Sequence, residues 1–377
     1  MKFFNTPFIL SDKRHGWIDF DRGISIILVT YRHCFEGILN SGIDLSNHPW
    51  LGYINVFFFG FRMPLFFIAS GIFISGSIAK RGLNPYINNR VKTILYPMAV
   101  WGFIQIALQL VFAPYTNAQG VVGWHSFYEL FTNPRSTGQF WYLHALFLVG
   151  IVYALLKVFL GINYKTQLAI GVVFYCLCAI DNANAYSYTI ELSFINDFLK
   201  YYLFFAIGDA ISNWMMEEKT AKLFSSYKFI LPLIIAFITI QYFFTEVNLK
   251  NGNNYHVENH MPLFFLLVAL VGCTLSLAVS FSLKKKKSFQ FLRVIGYHSV
   301  SIYCMQIIVM SVSRQFLQKI LGIDNPNVLL LLVLTTGILI PMIIYQICIR
   351  INMWWLFSLK KPTDELKSIE RQVEIKA

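Results

Sequence analysis

The chain has 377 residues, of which 56% are hydrophobic, 17% aromatic and only 13% charged, with a mean hydropathy of +0.56. That balance excludes an ordinary soluble globular domain and specifies a polytopic membrane protein. The formal charge of +12 is distributed by loop rather than gathered in one patch, which argues against a nucleic-acid partner and for membrane lipid.

Apolar runs of membrane-spanning length recur about ten times, near 23–42, 53–79, 93–112, 139–159, 166–181, 198–215, 228–245, 262–283, 298–318 and 327–357. The first is expected to be a retained span, because no small-residue cleavage pattern ends it. Twenty-four of the 31 basic residues fall on one set of alternating loops and at the two termini, against Arg135, Lys250 and Lys319 on the other set. The expected fold is therefore an all-α polytopic bundle of about ten transmembrane helices with both termini cytoplasmic. One membrane domain over 1–359 and a cytoplasmic tail over 360–377 is the simplest division. The six cysteines all lie within apolar runs, where they read as small buried hydrophobes with neither disulfide nor metal-ligand spacing. No metal is expected.

The first run is unusual because Arg32, His33 and Glu36 lie well inside it. Ionisable groups at that depth are costly, and they usually face a bundle interior or a polar cavity. On a helix the eleven steps from Arg22 to His33 turn through about 1100°, only about 20° from three full turns, and rise about 16 Å. The two residues therefore share a face. A neutral imidazole can take a proton from a hydroxyl and return it to a leaving group, Glu36 one turn on can orient the ring, and Arg32 can pair with Glu36 at i,i+4. A structural histidine bonded to a neighbouring helix is the competing reading.

The second run places Arg62 about 14 Å from its outer end by helix rise, a depth comparable to that of His33. That match points to a shared polar cavity, although Arg62 can equally be a structural partner of Glu36 or of a helix end. Pro64, Ser70 and Gly71 follow, permitting a kink and close packing. Arg90 and Lys92 stand where the third run begins and can bind phosphate, while snorkelling is the ordinary role of such residues. Trp141, Tyr142 and His144 open the fourth run. An aromatic belt is their ordinary reading and stacking on a glycan the functional one. Lys200 can snorkel outward and Asp209 can sit at the cytoplasmic boundary. Gln306 lies deep enough to bond a neighbouring helix.

Several of these residues, taken in order, form a recognisable set: Arg22 and His33, the segment Arg62–Gly71, Arg90 and Lys92 with Tyr96 and Pro97, Trp141–Leu146, Phe204–Gly208, and Gly296 with Ser299, Ser301 and Tyr303. The set resembles the acyltransferase-3 family of integral membrane O-acyltransferases, particularly its stand-alone branch similar to fucose 4-O-acetylases. That resemblance implies transfer of an acetyl or other acyl group from cytoplasmic acetyl-CoA to a hydroxyl of a surface or lipid-linked glycan, in a bacterial plasma (inner) membrane.

By the same resemblance His33 corresponds to the essential histidine; as a hypothesis from the residues, it acts as base or as acyl carrier, with Glu36 orienting it and Arg62 stabilising the developing oxyanion. The resemblance places Arg22 at the CoA end and Arg90 and Lys92 where relatives often have paired arginines, while Trp141, Tyr142 and His144, read from the residues, are the candidates to stack on the acceptor. Lys92 stands where relatives often have arginine, keeping the charge without the bidentate fork, and Gln306 stands where many carry histidine. The rival from another class is a transporter or flippase of glycan-linked lipid, with His33, Glu36 and Arg62 as a relay. Oligomeric state is not legible in the sequence.

Overall fold

The structure, a computed structural model, describes residues 6–11, 15–113, 122–183 and 193–360. Lys2, Lys13, Arg14, Pro114 and the tail from 361 lie outside the described residues. Among the described residues there are helices and no strands, as expected for a chain whose backbone polar groups must be satisfied without water.

The order begins with the short α1 (Thr6–Ile9) and the long α2 (Gly16–Leu39). The second apolar run is broken into α3 (Pro49–Phe57), α4 (Phe59–Gly71) and α5 (Ile74–Arg81), and the third into α6 (Leu83–Arg90), a π-helical turn (Val91–Leu95) and α7 (Tyr96–Val111). Proline97 has no amide hydrogen to give the preceding turn, and the π-turn sits directly before it. Then come α8 (Ser126–Thr132), α9 (Trp141–Phe159), α10 (Tyr164–Ala183), α11 (Ser193–Met215), α12 (Glu218–Phe224), α13 (Tyr227–Lys250), α14 (His256–His260), α15 (Pro262–Lys286), α16 (Phe291–Tyr297), α17 (Ser299–Lys319) and α18 (Pro326–Arg350). Prolines at the first turns of α3, α15 and α18 start those helices where a missing amide hydrogen is harmless. The Asn325 side chain accepts from the amides of Asn327 and Val328 to cap α18.

All ten apolar runs fall on these helices. Eight spans are long and apolar enough to cross a membrane by length and composition, with Pro49–Arg81 and Leu83–Val111 each counted as one. The other two, α2 and α11, each carry several ionisable residues. They are also the interior helices: α2 packs against α3, α4, α15, α16, α17 and α18, and α11 against α4, α9 and α10. By contrast α13 presents Leu231, Ile235, Ile238 and Tyr242 outward at helical spacing, the apolar exterior that a lipid solvent favours.

Two helix crossings are set by facing glycines. A Cβ on Gly71 would lie 2.0 Å from the carbonyl oxygen of Phe205, and one on Gly208 would lie 2.2 Å from that of Ile68, so α4 and α11 touch backbone to backbone. Gly23 and Gly296 do the same for α2 and α16, with 2.2 Å to Leu292 O and 1.8 Å to Asp19 O. All six cysteines are free.

Candidate active site

The face of α2 that carries Arg22 and His33 is continuous in the structure, because Gly16–Leu39 is one unbroken helix. Near its far end, Glu36 divides its carboxylate between two partners. Oε1 accepts from Arg32 Nε at 2.8 Å, and Oε2 faces His33 Nδ1 at 3.6 Å, an electrostatic contact just beyond hydrogen-bond length. Arg32 also donates through Nη2 to the Tyr255 hydroxyl, and its guanidinium lies 4.7 Å from the centre of the Phe59 ring. Held from both sides, Arg32 fixes Glu36, and Glu36 in turn favours the tautomer with its proton on Nδ1. The Nε2 lone pair is then the basic end of His33.

Arg62 reaches the same cluster from α4. It is buried, donates through Nη1 to the Leu28 carbonyl at 2.9 Å, and rests 5.2 Å from the Phe59 ring centre. Its Nη2 is buried without a hydrogen-bond partner. The expected pairing with Glu36 is therefore electrostatic and not a direct bond: the charges of Arg32, Glu36 and Arg62 all act on His33. Two guanidiniums against one carboxylate leave the cluster net positive while the imidazole is neutral, a field that stabilises negative charge developing beside it.

His33 lines a cavity of about 530 Å³ whose other walls come from α7, α17, α18 and the segment before α9. That segment, residues 133–140, dips into the bundle. Gln139 exchanges side-chain hydrogen bonds with Gln105 of α7 (2.8 and 3.4 Å), and its carbonyl accepts from the Tyr303 hydroxyl. Gly138 makes the turn with φ of +92°. The cavity is mostly apolar, with Gln105, Gln109, Thr137, Ser311, Arg314 and Gln315 as its polar points. Such a mixture suits a ligand with both hydroxyls and apolar surface.

On the other side of His33, towards the N-terminal end of α2, the positive charges of Arg22 and Arg90 both act on the Tyr142 hydroxyl. Arg90 is steadied by Tyr86, whose hydroxyl accepts from Nε at 3.0 Å and reaches the Gly150 carbonyl at 3.5 Å. Lys92 lies within the π-turn.

Trp141, Tyr142 and His144 do not form a surface belt, and none of them lines the cavity. Because residues 133–140 turn inward, α9 begins inside the bundle. Tyr142 packs among Phe66, Phe67 and Tyr303, Trp141 stacks under Arg135 at 4.1 Å, and His144 lies against Phe194. Lys200 does not snorkel: it is buried and pairs with Glu258 at 2.8 Å. Asp209 is likewise interior, bound by Lys157 and Tyr153 at 2.8 Å and by Ser75. Gln306 bonds the neighbouring helix as expected, accepting from Thr30 at 2.6 Å.

Sequence reasoning passed over Tyr255, Gln105, Gln139 and Arg314. The signal available was the same one that found His33, since Gln105 and Arg314 are polar residues within apolar runs.

An acyltransferase domain family, Acyltransferase 3, matches residues 15–346. The nodulation protein NolL of Mesorhizobium japonicum is 28% identical over 159 residues, which are 41% of this chain and 40% of that protein. The nodulation protein NolL of Sinorhizobium fredii is 27% identical over 226 residues, 58% of this chain and 56% of its own length. The chain thus spans about half the length, or less, of these relatives. No solved structure matches it. With the family match running from the start of α2 into α18, the chain belongs to the acyltransferase-3 family of integral membrane acyltransferases.

Proposed function

We propose that this protein transfers an acetyl group from acetyl-CoA, taken from the cytoplasmic side of a bacterial plasma membrane, to a hydroxyl of a surface or lipid-linked glycan. The observation that carries the reading is the position of His33: on the wall of a large mixed cavity, backed by Glu36, with Arg62 buried beside it and Arg22 about 16 Å along the same helix face. Arg22 and Arg90 suit the phosphates of the donor, whose extended arm would run along the face towards His33.

In the transfer, Nε2 of His33 takes the proton of the acceptor hydroxyl as its oxygen attacks the thioester carbonyl and the new C–O bond forms. In this reading Arg62, whose buried Nη2 has no hydrogen-bond partner, donates to the resulting oxyanion. When the tetrahedral species collapses, the C–S bond breaks and the imidazolium returns its proton to the leaving thiolate, releasing CoA as a thiol. Glu36 stabilises the imidazolium between the two proton transfers.

The test compares O-acetylation of surface glycans by mass spectrometry in cells with the wild-type gene, without it, and with His33→Ala. Loss of the acetyl ester in the last two, at unchanged protein level, is the expected result. Acetylation that persists in His33→Ala rejects the mechanism. Consumption of acetyl-CoA by purified protein in detergent, with no gradient present, separates this reading from a transporter of glycan-linked lipid.

A further inference from the structure

At the end of the bundle where α2 begins, a second cavity of about 590 Å³ opens between α12, the end of α15 and α16. Its wall carries five cations, Lys222, Lys284, Lys285, Lys287 and Arg293, and a single acid, Glu218. Glu218 is committed to Lys222 at 2.8 Å, and Arg293, the buried floor of the cavity, stands 3.9 Å from Asp19. Lys284, Lys285 and Lys287 have no carboxylate within ion-pair distance among the described residues.

A lysine run at a helix end is ordinarily a topology anchor whose ammonium groups splay into water, because consecutive positions are about 100° apart. Here three of the four converge. The end of α15 closes with the amide of Ser288 bonding Leu283 O (3.3 Å) and that of Lys287 bonding Lys284 O (3.2 Å), the Schellman pattern. Lys287 occupies its left-handed position with φ of +51°, a place where glycine fits with less strain. The turn brings Lys287 back to the wall with Lys284 and Lys285, while Lys286 points elsewhere, onto the Tyr227 ring at 5.4 Å. Strain retained at a residue that adds charge to a cavity is an outlier that points to a ligand.

The surroundings indicate which ligand. Phe289 and Phe291 are exposed, edge to face at 5.9 Å beside the cavity, and Tyr227 and Leu223 are exposed next to it. Tyr227 is of the kind that sits at the headgroup level of a bilayer, and exposed phenylalanines suit the acyl boundary beneath it. Gln290 adds a buried side-chain oxygen with no partner, able to accept from a headgroup hydroxyl.

We propose that this cavity binds the phosphate of an anionic phospholipid, with Lys284, Lys285 and Lys287 around the phosphate and Phe289 and Phe291 against the acyl region. Basic pockets between helix ends at the membrane surface suit phosphate headgroups. The site is independent of the acyl-transfer reading, since none of its residues belongs to the His33 cluster.

The test is native mass spectrometry of the full-length protein in detergent with equal phosphatidylglycerol and phosphatidylcholine. Phosphatidylglycerol should be retained over phosphatidylcholine, and Lys287→Gly should lower that retention about fivefold while leaving the melting temperature equal or higher, because glycine relieves the left-handed turn. Lys284→Ala/Lys285→Ala/Lys287→Ala should lower it by about tenfold or more. Equal retention of both lipids, or a Lys287→Gly protein that binds phosphatidylglycerol as the wild type does, overturns the proposal. So does displacement of phosphatidylglycerol by millimolar inorganic phosphate or CoA, which assigns the cavity to a soluble anion.

Discussion

Glu36 is the residue on which the candidate site turns, because its two oxygens serve Arg32 and His33 separately. Glu36→Gln keeps an oxygen for Arg32 but removes the charge that supports an imidazolium. The turnover of acetyl transfer should fall about 10²-fold with little change in KM for acetyl-CoA, read from steady-state kinetics in detergent. Arg62→Lys tests the oxyanion role. A lysine can hold the Leu28 carbonyl but has no second fixed arm to replace Nη2, so kcat should again drop by about 10²-fold while the protein folds normally. The depth of these residues was legible in the sequence, because a charge inside an apolar run is visible without coordinates. What each one touches was not. Lys200, expected to snorkel, instead pairs with Glu258, and Tyr142, expected in an aromatic belt, is buried through an inward turn at residues 133–140 with no local signature beyond Gly138.

The bundle tolerates so polar an interior helix because α2 is clamped on its far side by backbone contact. With Gly296 Cα facing Asp19 O and Gly23 facing Leu292 O, α2 and α16 cannot part or slide without losing a close fit. Gly296→Ala would put a methyl group 1.8 Å from that oxygen, and Gly208→Ala would put one 2.2 Å from Ile68 O. Neither obstacle is a flexible side-chain end. Each substitution should destabilise by about 1–3 kcal/mol or more, seen as a lower melting temperature in detergent. Gly76, in α5, has nothing within 4 Å of its Cβ position, so Gly76→Ala should be neutral or stabilising by up to about 1 kcal/mol through helix propensity. Small residues in apolar runs advertise close packing in the sequence. Which helix each one meets is a property of the assembled bundle, and α4 meeting α11 across more than 130 residues has no trace in local pattern.

At the scale of the whole molecule, hydropathy and packing weigh the ten helices differently. Eight qualify as spans by apolarity, whereas α2 and α11 do not, and the ionisable groups of those two find partners inside the bundle. This has a testable consequence for topology. If α2 crosses, the loop after it, where Ser46 bonds Asp44 in an exposed turn, lies opposite the face that holds α12 and the Lys284–Lys287 run. The basic residues favour the cytoplasm for the lysine face. Ser46→Cys should therefore react with a membrane-impermeant maleimide added to intact bacterial cells with the outer membrane permeabilised, and Lys219→Cys, on the exposed start of α12, only after the plasma membrane is opened. Of the native cysteines only Cys176 is exposed, on α10 among the exposed apolar side chains Val172, Val173, Leu177 and Ile180, so the background should be low. Labelling of both positions in intact cells would mean that α2 does not span. The proposed donor path from Arg22 to His33, about 16 Å long by helix rise, would then have no membrane to cross.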